Sequence, residues 1–307
     1  MIAVELRVFD GSVAMRRFLL TAAMAVTAAG AHAADMPDFL RGTLPAASAP
    51  TRNWDGWYAG GQVGYSSVSD DFTKTLSGLT NQMYVNTVLA PVTSSLSPLG
   101  KATGQGTGFG AFVGRNYQWD DIVLGVEANY NYVNLKTSAS NSTPSILYSF
   151  PGALPNSTDE YVVRLSGTAA AQVTDMITFR GRAGWAAGDF LPYVFGGLAV
   201  GRMDIARTAT SQASKQEFVT TTTTDPITGI TTTTTSPTSN PQNVSAAPLS
   251  QGRTNNFVPG WTAGLGFEYM LWSNIFLRGE WEYVKFLSVE NTNVTMNSVR
   301  AGIGYKF

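Results

Sequence analysis

With a single histidine, His32, and no cysteine in 307 residues, any acid–base chemistry in this chain has to come from carboxylates. Glu280 and Glu282 are two apart, so a strand places both on one face, where a carboxyl pair can in principle donate and accept protons. Arg278 shares that face, and Glu127, Arg180, Arg182, Glu268 and Arg300 occupy comparable places in other strand-like segments. Carboxylates matched in this way by guanidiniums are expected to pair with them rather than to turn over a substrate. His32 lies in a segment that reads as a removable leader, which closes the Ser–His route to acyl transfer. Gly104, Gly106, Gly108 and Gly110 have strand spacing and lack the strand and helix that a dinucleotide loop needs around it. Without cysteine, thiolate metal sites, disulfides and cysteine nucleophiles are excluded. No catalytic residue, metal or cofactor is expected.

The elements that hold these charges follow a leader. Arg16 and Arg17 form a basic start, Phe18 to Gly30 an apolar core, and Ala31-His32-Ala33 a cleavage site, so residues 1–33 read as a signal peptide. Met15 directly precedes the arginines, and residues 1–14 carry Glu5 and Asp10, which fit no signal region; Met15 is the expected initiator. Residues 34–53 then form a periplasmic linker and residues 54–307 a single domain. Only 13% of residues are charged, with 31 glycines and a formal charge of −1, a balance that argues against nucleic acid as a partner. Beyond the leader no run of about 18 apolar residues occurs, so a spanning helix is not expected.

Strand rhythm fills the rest. Trp57, Ala59, Gly61, Val63 and Tyr65 alternate with Tyr58, Gly60, Gln62, Gly64 and Ser66, and the same period of two recurs over 122–132, 177–185, 261–269, 277–283 and 299–307. The strand near 107–119 loses its rhythm at Arg115, where a bulge is one reading, and the strand from Leu191 is apolar on both faces, leaving its register open. Two-residue links at Asp120-Asp121, Asp189-Phe190 and Ser273-Asn274 alternate with stretches at 69–106, 137–175, 207–255 and 290–296. Short turns on one side of a membrane and long loops on the other are how outer-membrane barrels are threaded. The expected fold is therefore all-β: an eight-stranded antiparallel transmembrane β-barrel with short periplasmic turns and long extracellular loops. A ninth candidate, Glu160 to Ala171, breaks the even strand number and reads as loop or as a rim extension of the fourth strand. Thr220–Thr224 and Thr231–Thr235 flank a turn-forming Asp225-Pro226, which gives either a hairpin or a low-complexity loop. Residues 79–90 read as a plain apolar loop patch in preference to a short helix.

Alternation alone does not say which face meets water, but aromatic placement does. Trp54, Trp57, Trp119, Trp185 and Trp272, with Phe190, Tyr193, Tyr305 and Phe307, cluster at the ends shared by the short turns, as a girdle at one membrane interface would. Lipid then lies outside, and Glu127, Arg180, Arg182, Glu268, Arg278, Glu280, Glu282, Arg300 and Lys306 face the lumen. An eight-stranded barrel is only wide enough to be filled by its own side chains, so these charges are expected to form a plug.

The segments NWDGWYAGGQVGY (53–65), LGVEANYNY (124–132), FLPYVFGGLAVGR (190–202), GWTAGLGFEY (260–269) and VRAGIGYKF (299–307), with the mature start ADMP, carry a family resemblance. The chain resembles the alphaproteobacterial outer-membrane immunogenic, or porin-like, proteins within the OmpA-like eight-stranded barrel superfamily. The resemblance implies a cell-surface protein of a Gram-negative outer membrane, in contact with its lipid and lipopolysaccharide. It also implies that Tyr305 and Phe307 form the signal read by the barrel-assembly machinery, and that host or surface ligands would be met through the loops. Those loops are longer and richer in threonine than the family pattern, and a wall-anchoring role through a peptidoglycan-binding domain is not expected. The function expected is a structural surface protein with a plugged lumen and exposed interaction loops; the alternative is a narrow porin-like channel.

Overall fold

The computed structural model describes residues 52–307. The expected signal peptide, with Met15 and His32, and the linker up to residue 51 lie outside the described residues. Eight strands close a ring: β1 (Gly56–Asp71), β2 (Lys101–Trp119), β3 (Ile122–Ser142), β5 (Ser157–Trp185), β6 (Phe190–Thr224), β9 (Leu249–Met270), β10 (Ile275–Phe286) and β11 (Asn293–Lys306). Every neighbour is antiparallel, and β11 returns to β1 with Tyr305 opposite Ala59 and Val299 opposite Tyr65. Along each strand the apolar face points outward across a band some ten residues tall, for example Ile122, Leu124, Val126 and Tyr130 on β3 and Ile177, Phe179 and Trp185 on β5, which is the length a tilted strand needs to cross a bilayer.

The short turns differ from expectation in two of three places. Asp120-Asp121 is a two-residue turn with Asp120 at a φ of 50°. The other two span four residues, Ala186–Asp189 and Leu271–Asn274, instead of the Asp189-Phe190 and Ser273-Asn274 links. Gly188 at a φ of 65° supplies the left-handed step in the first, and Leu271 and Trp272 donate back to the Ile275 carbonyl in the second.

The long loops are mostly wall. β5 has 29 residues and β6 has 35, about three times what the bilayer requires, and they stay paired from Tyr193–Gly184 up to Val219–Ser157. The stretches 69–106, 137–175, 207–255 and 290–296 therefore shrink to connections of 72–100, 143–156, 225–248 and 287–292. Above the membrane the outer face meets water, so the apolar alternation that marks a lipid-facing strand stops while the pairing continues. Glu160–Ala171 is the upper part of β5, not a loop. Between Asp175 and Val173 the strand carries one extra residue against β6, and this bulge flips β5, so that even-numbered residues face inward below it and odd-numbered ones above it. That change of phase is why one strand reads as two.

Inside this extension sit α1 (Ser77–Met83) and α2 (Ala90–Ser94), where a plain loop patch was expected. Phe72, Leu76, Leu79 and Leu99 pack on the inward Ala169, Ala171, Ile205 and Ala209, while Leu89 and Tyr84 meet Val163, Leu165 and Ala213. A two-turn and a one-turn helix show almost no 3.6 period, and their stability comes from this packing. Three further strands lie beyond the ring. β4 (Ile146–Pro151) pairs with β5, while β7 (Thr231–Pro237) and β8 (Gln242–Asn243) pair with β6. The threonine runs form a hairpin, Thr220 opposite Thr235 through Thr224 opposite Thr231, closed by the Asp225 carboxylate accepting from the N–H groups of Ile227 and Thr228.

Candidate functional site

The lumen is built in layers. At the periplasmic end Trp54, Tyr58, Phe112, Phe195, Tyr193 and Phe276 fill the bore, with Trp54 donating its ring N–H to the Gly188 carbonyl at 3.2 Å and Tyr58 set edge-on to Phe276 at 5.9 Å. Inward glycines on neighbouring strands leave room for these rings: a Cβ at Gly304 would fall 2.2 Å from the Phe276 ring, and one at Gly114 would fall 2.3 Å from the Tyr58 hydroxyl.

Glu127, Arg180, Arg182, Glu268, Arg278, Glu280, Glu282 and Arg300 form the next layer, none more than 6% exposed. Glu127 on β3 is its hub. One of its oxygens accepts from Arg180 at 2.5 Å and Asn129 at 2.8 Å, the other from Arg278 at 2.7 Å and Tyr58 at 2.6 Å. Arg180 also bonds Glu280 at 2.5 Å; Glu268 accepts from Arg182 at 2.8 Å and Arg278 at 2.6 Å; Arg300 pairs with Glu282, which Thr262 also bonds. The guanidiniums sit over rings of the aromatic layer: the Arg278 Cζ is 3.7 Å from the Phe112 centroid, that of Arg182 3.9 Å from Tyr193 and that of Arg180 4.0 Å from Phe195. Glu280 and Glu282, the pair that could have performed acid–base chemistry, are thus both engaged with arginine.

A polar layer follows, with Gln62 donating to Asn131 at 2.7 Å and Ser66 bonded to Ser298 at 2.8 Å. Beside it a void of about 10 Å³, lined in part by Gln62, Ser66, Asn131 and Arg300, is at the lower limit for a single water. Above it the lumen turns apolar: Val68, Val133, Leu135, Met176, Met203, Val284, Phe286 and Met296 pack together below the helices. From this level upward most buried inward side chains are apolar, with Asp70, Thr137 and Arg207 as buried polar exceptions.

The outer surface carries two aromatic belts. Trp57, Trp119, Trp185, Trp272, Tyr305, Phe190 and Phe307 face outward at the periplasmic end. Trp54 and Tyr193, expected among them, lie in the lumen instead: Tyr193 occupies the inward phase of β6, and Trp54, which precedes β1, packs against Phe276 in the bore. Lys306 is absent from the charge layer; its ammonium donates to the backbone carbonyls of Asn53 and Asp55 at the barrel mouth. Arg115 marks no bulge. The β2 register is unbroken, and its guanidinium lies outside over Tyr117 at 4.9 Å, a cation set among interfacial rings. The upper belt, which sequence reasoning missed, comprises Tyr65, Phe109, Tyr130, Phe257, Trp261 and Trp281. Just above it Arg202 pairs with Asp175 on the outer wall, at the level of the β5 bulge.

Asp70 stands above the membrane band, buried between the polar layer and the cap, and accepts from the Thr137 hydroxyl while its second oxygen has no partner. Burial pushes its carboxyl up to about 6 from an ordinary 3.8, so the folded protein holds this proton where the unfolded chain has lost it. The associated stability is present below pH 4 and is lost as pH rises through about 6. Asp70→Asn keeps the acceptor for Thr137 and removes the charge. It is expected to raise the melting temperature at pH 7 by an amount equivalent to roughly 2–3 kcal/mol at most, with no gain at pH 4; an equal gain at both values would show that the titration is not involved.

A closed eight-stranded ring, apolar outside between two aromatic belts and filled with charge inside, defines an outer-membrane β-barrel. The family model for the outer membrane protein beta-barrel domain matches residues 19–307, and the chain belongs to that family and resides in the outer membrane. Solved structures similar to it include Neisserial surface protein A, at 15% identity over 82% of this chain and 97% of that one, with a TM-score of 0.28. Ail, the attachment invasion locus protein of Yersinia pestis, in complex with the heparin analogue sucrose octasulfate, is 10% identical over 82% and 99% of the two chains, with a TM-score of 0.28. OprG of Pseudomonas aeruginosa is 13% identical over 82% and 96%, with a TM-score of 0.31. No curated protein matches the chain.

Proposed function

We propose that the protein is a surface anchor whose lumen is plugged by its own side chains and whose extracellular extension is the working surface. The observation that carries this reading is the stack in the bore: an aromatic layer, four arginines interleaved with four glutamates, and an apolar layer roofed by α1 and α2. Within the charge layer every glutamate is engaged by at least one arginine, while guanidinium nitrogens of all four arginines and one oxygen of Glu280 have no hydrogen-bond partner, and the aromatic and apolar layers lie on either side of it. Wall length supports the second half of the reading, because strands of 29 and 35 residues hold the connecting segments well clear of the lipid headgroups.

Purified protein in planar bilayers is expected to give no steady conductance. Reproducible ion-selective steps would favour a narrow porin in its place. A peptide tag inserted between Thr224 and Asp225 is expected to label on intact cells, and one between Asp120 and Asp121 only after permeabilisation; the opposite pattern would invert the orientation.

A further inference from the structure

The threonine hairpin has an unfilled edge. β5 begins at Ser157 opposite Val219, and Thr220 donates its N–H to the Asn156 carbonyl, so from Thr221 onward β6 pairs with β7 alone. Every residue from Thr221 to Thr238 is exposed, and a two-stranded hairpin with no packed face is marginal in water. The hydrogen-bond phase identifies the free groups. Asp225 donates to the Ile230 carbonyl and Thr238 to that of Glu217, so on β7 the even-numbered residues bond β6 and Thr231, Thr233 and Thr235 turn their N–H and C=O groups outward. Among the described residues no strand pairs with that edge. It also lacks the charges that ordinarily protect an exposed edge, having only Pro237 at its end.

The edge is self-complementary. Antiparallel pairing of two β7 strands about Thr233 sets threonine opposite threonine throughout, and the hairpin already contains such pairs, with Thr220 and Thr235 hydroxyls 3.1 Å apart and Thr224 and Thr231 likewise at 3.1 Å. Symmetry then restricts where the second copy can be. Two copies in one membrane are related by a two-fold along the membrane normal, which crosses their β7 strands at twice the strand tilt. For a tilt of about 35–45°, carried from the barrel into the hairpin that continues β6, the crossing is roughly 70–90° and no ladder forms. A two-fold lying in the membrane plane relates copies in facing membranes and makes the strands antiparallel at any tilt. We propose that β7 is a homophilic docking edge, pairing antiparallel with β7 of a second copy on the outer membrane of a neighbouring cell. The proposal rests on the extracellular extension being the working surface.

The test uses two differently fluorescent populations of cells that display the full chain. Wild-type cells are expected to form mixed clusters. Thr233 meets its own copy at the two-fold, so T233K or T233E alone puts like charges face to face and is expected to reduce clustering on the order of tenfold or more, because many weak edges act together on a cell surface. Mixing T233K cells with T233E cells is expected to restore clusters containing both colours, which also establishes that both variants are folded and displayed. Undiminished self-clustering of T233K cells, or equal recruitment of cells lacking the protein, would overturn the proposal, as would side-by-side dimers captured in a single nanodisc. A dispersed wild-type suspension whose tag between Thr224 and Asp225 still labels from outside would overturn the docking edge and leave the anchor reading standing.

Discussion

Glu127→Ala is expected to lower the stability of the folded barrel by about 3–5 kcal/mol, the usual cost of leaving buried charge uncompensated. Glu127 accepts from Arg180, Arg278, Asn129 and Tyr58 and lies 3.4 Å from Arg182, so its loss leaves three buried guanidiniums to share the remaining carboxylates. The surface pair Arg52–Asp189 provides the contrast. Both of its side chains are more than a third exposed, and Asp189→Ala is expected to cost about 0–1 kcal/mol. The measurement is the denaturant midpoint in detergent micelles, read by the heat-modifiable gel shift. Equal midpoints for both variants, with a changed cation preference for Glu127→Ala, would mean that the lumen is wet and the plug reading wrong.

The same hub illustrates what the sequence reveals and what it conceals. Eight of the nine charges assigned to the lumen, all but Lys306 at the barrel mouth, sit buried in the bore because each falls on the polar phase of a strand whose other phase must satisfy lipid. Lipid enforces that alternation residue by residue, so it is readable wherever it applies, from Trp57 to Tyr65 on β1 and from Val299 to Tyr305 on β11. The partners of the arginines were harder to find. Phe195 and Tyr193 lie on β6, where both faces are apolar, so hydropathy carries no phase. One signal was available: Gly264 and Gly266 on β9 sit beside these rings, with Cβ positions 2.4 Å from Phe195 and 2.7 Å from Tyr193. An inward glycine next to an inward aromatic is a spacing pattern that hydropathy alone does not register.

Above the membrane the legible signal changes sign. Leu135, Val173 and Met203 face inward there, whereas apolar residues of the same strands face lipid below. On β5 the inversion is accompanied by a one-residue bulge that shifts the phase, so the apolar residues keep odd numbers while the face they occupy is reversed. A reading that assumes one phase per strand has to cut β5 in two. α1 and α2 were concealed for a different reason, since 7 and 5 residues give no periodicity and their hydrophobic contacts come from distant parts of the chain.

Phe286→Ala tests the upper half of the plug. Its ring is 2% exposed and packs in the apolar layer with Val284, Met203, Val258 and Met296, between the charge layer and the helices. Truncating a buried phenylalanine typically costs about 3–5 kcal/mol, part of it from the cavity left behind. A comparable loss is expected here, because the closed ring of β-strands restricts collapse around the site. Conductance is expected to remain absent even so, since the arginine–glutamate layer and the aromatic floor beneath it are untouched. The two halves of the proposed plug are thus separable: Glu127→Ala strikes the charge layer, Phe286→Ala the apolar layer above it. Steady ion-selective steps in planar bilayers from Phe286→Ala protein would mean that the charge layer passes ions once its apolar cover is removed, and the lumen would then be a gated pore with α1 and α2 as its lid.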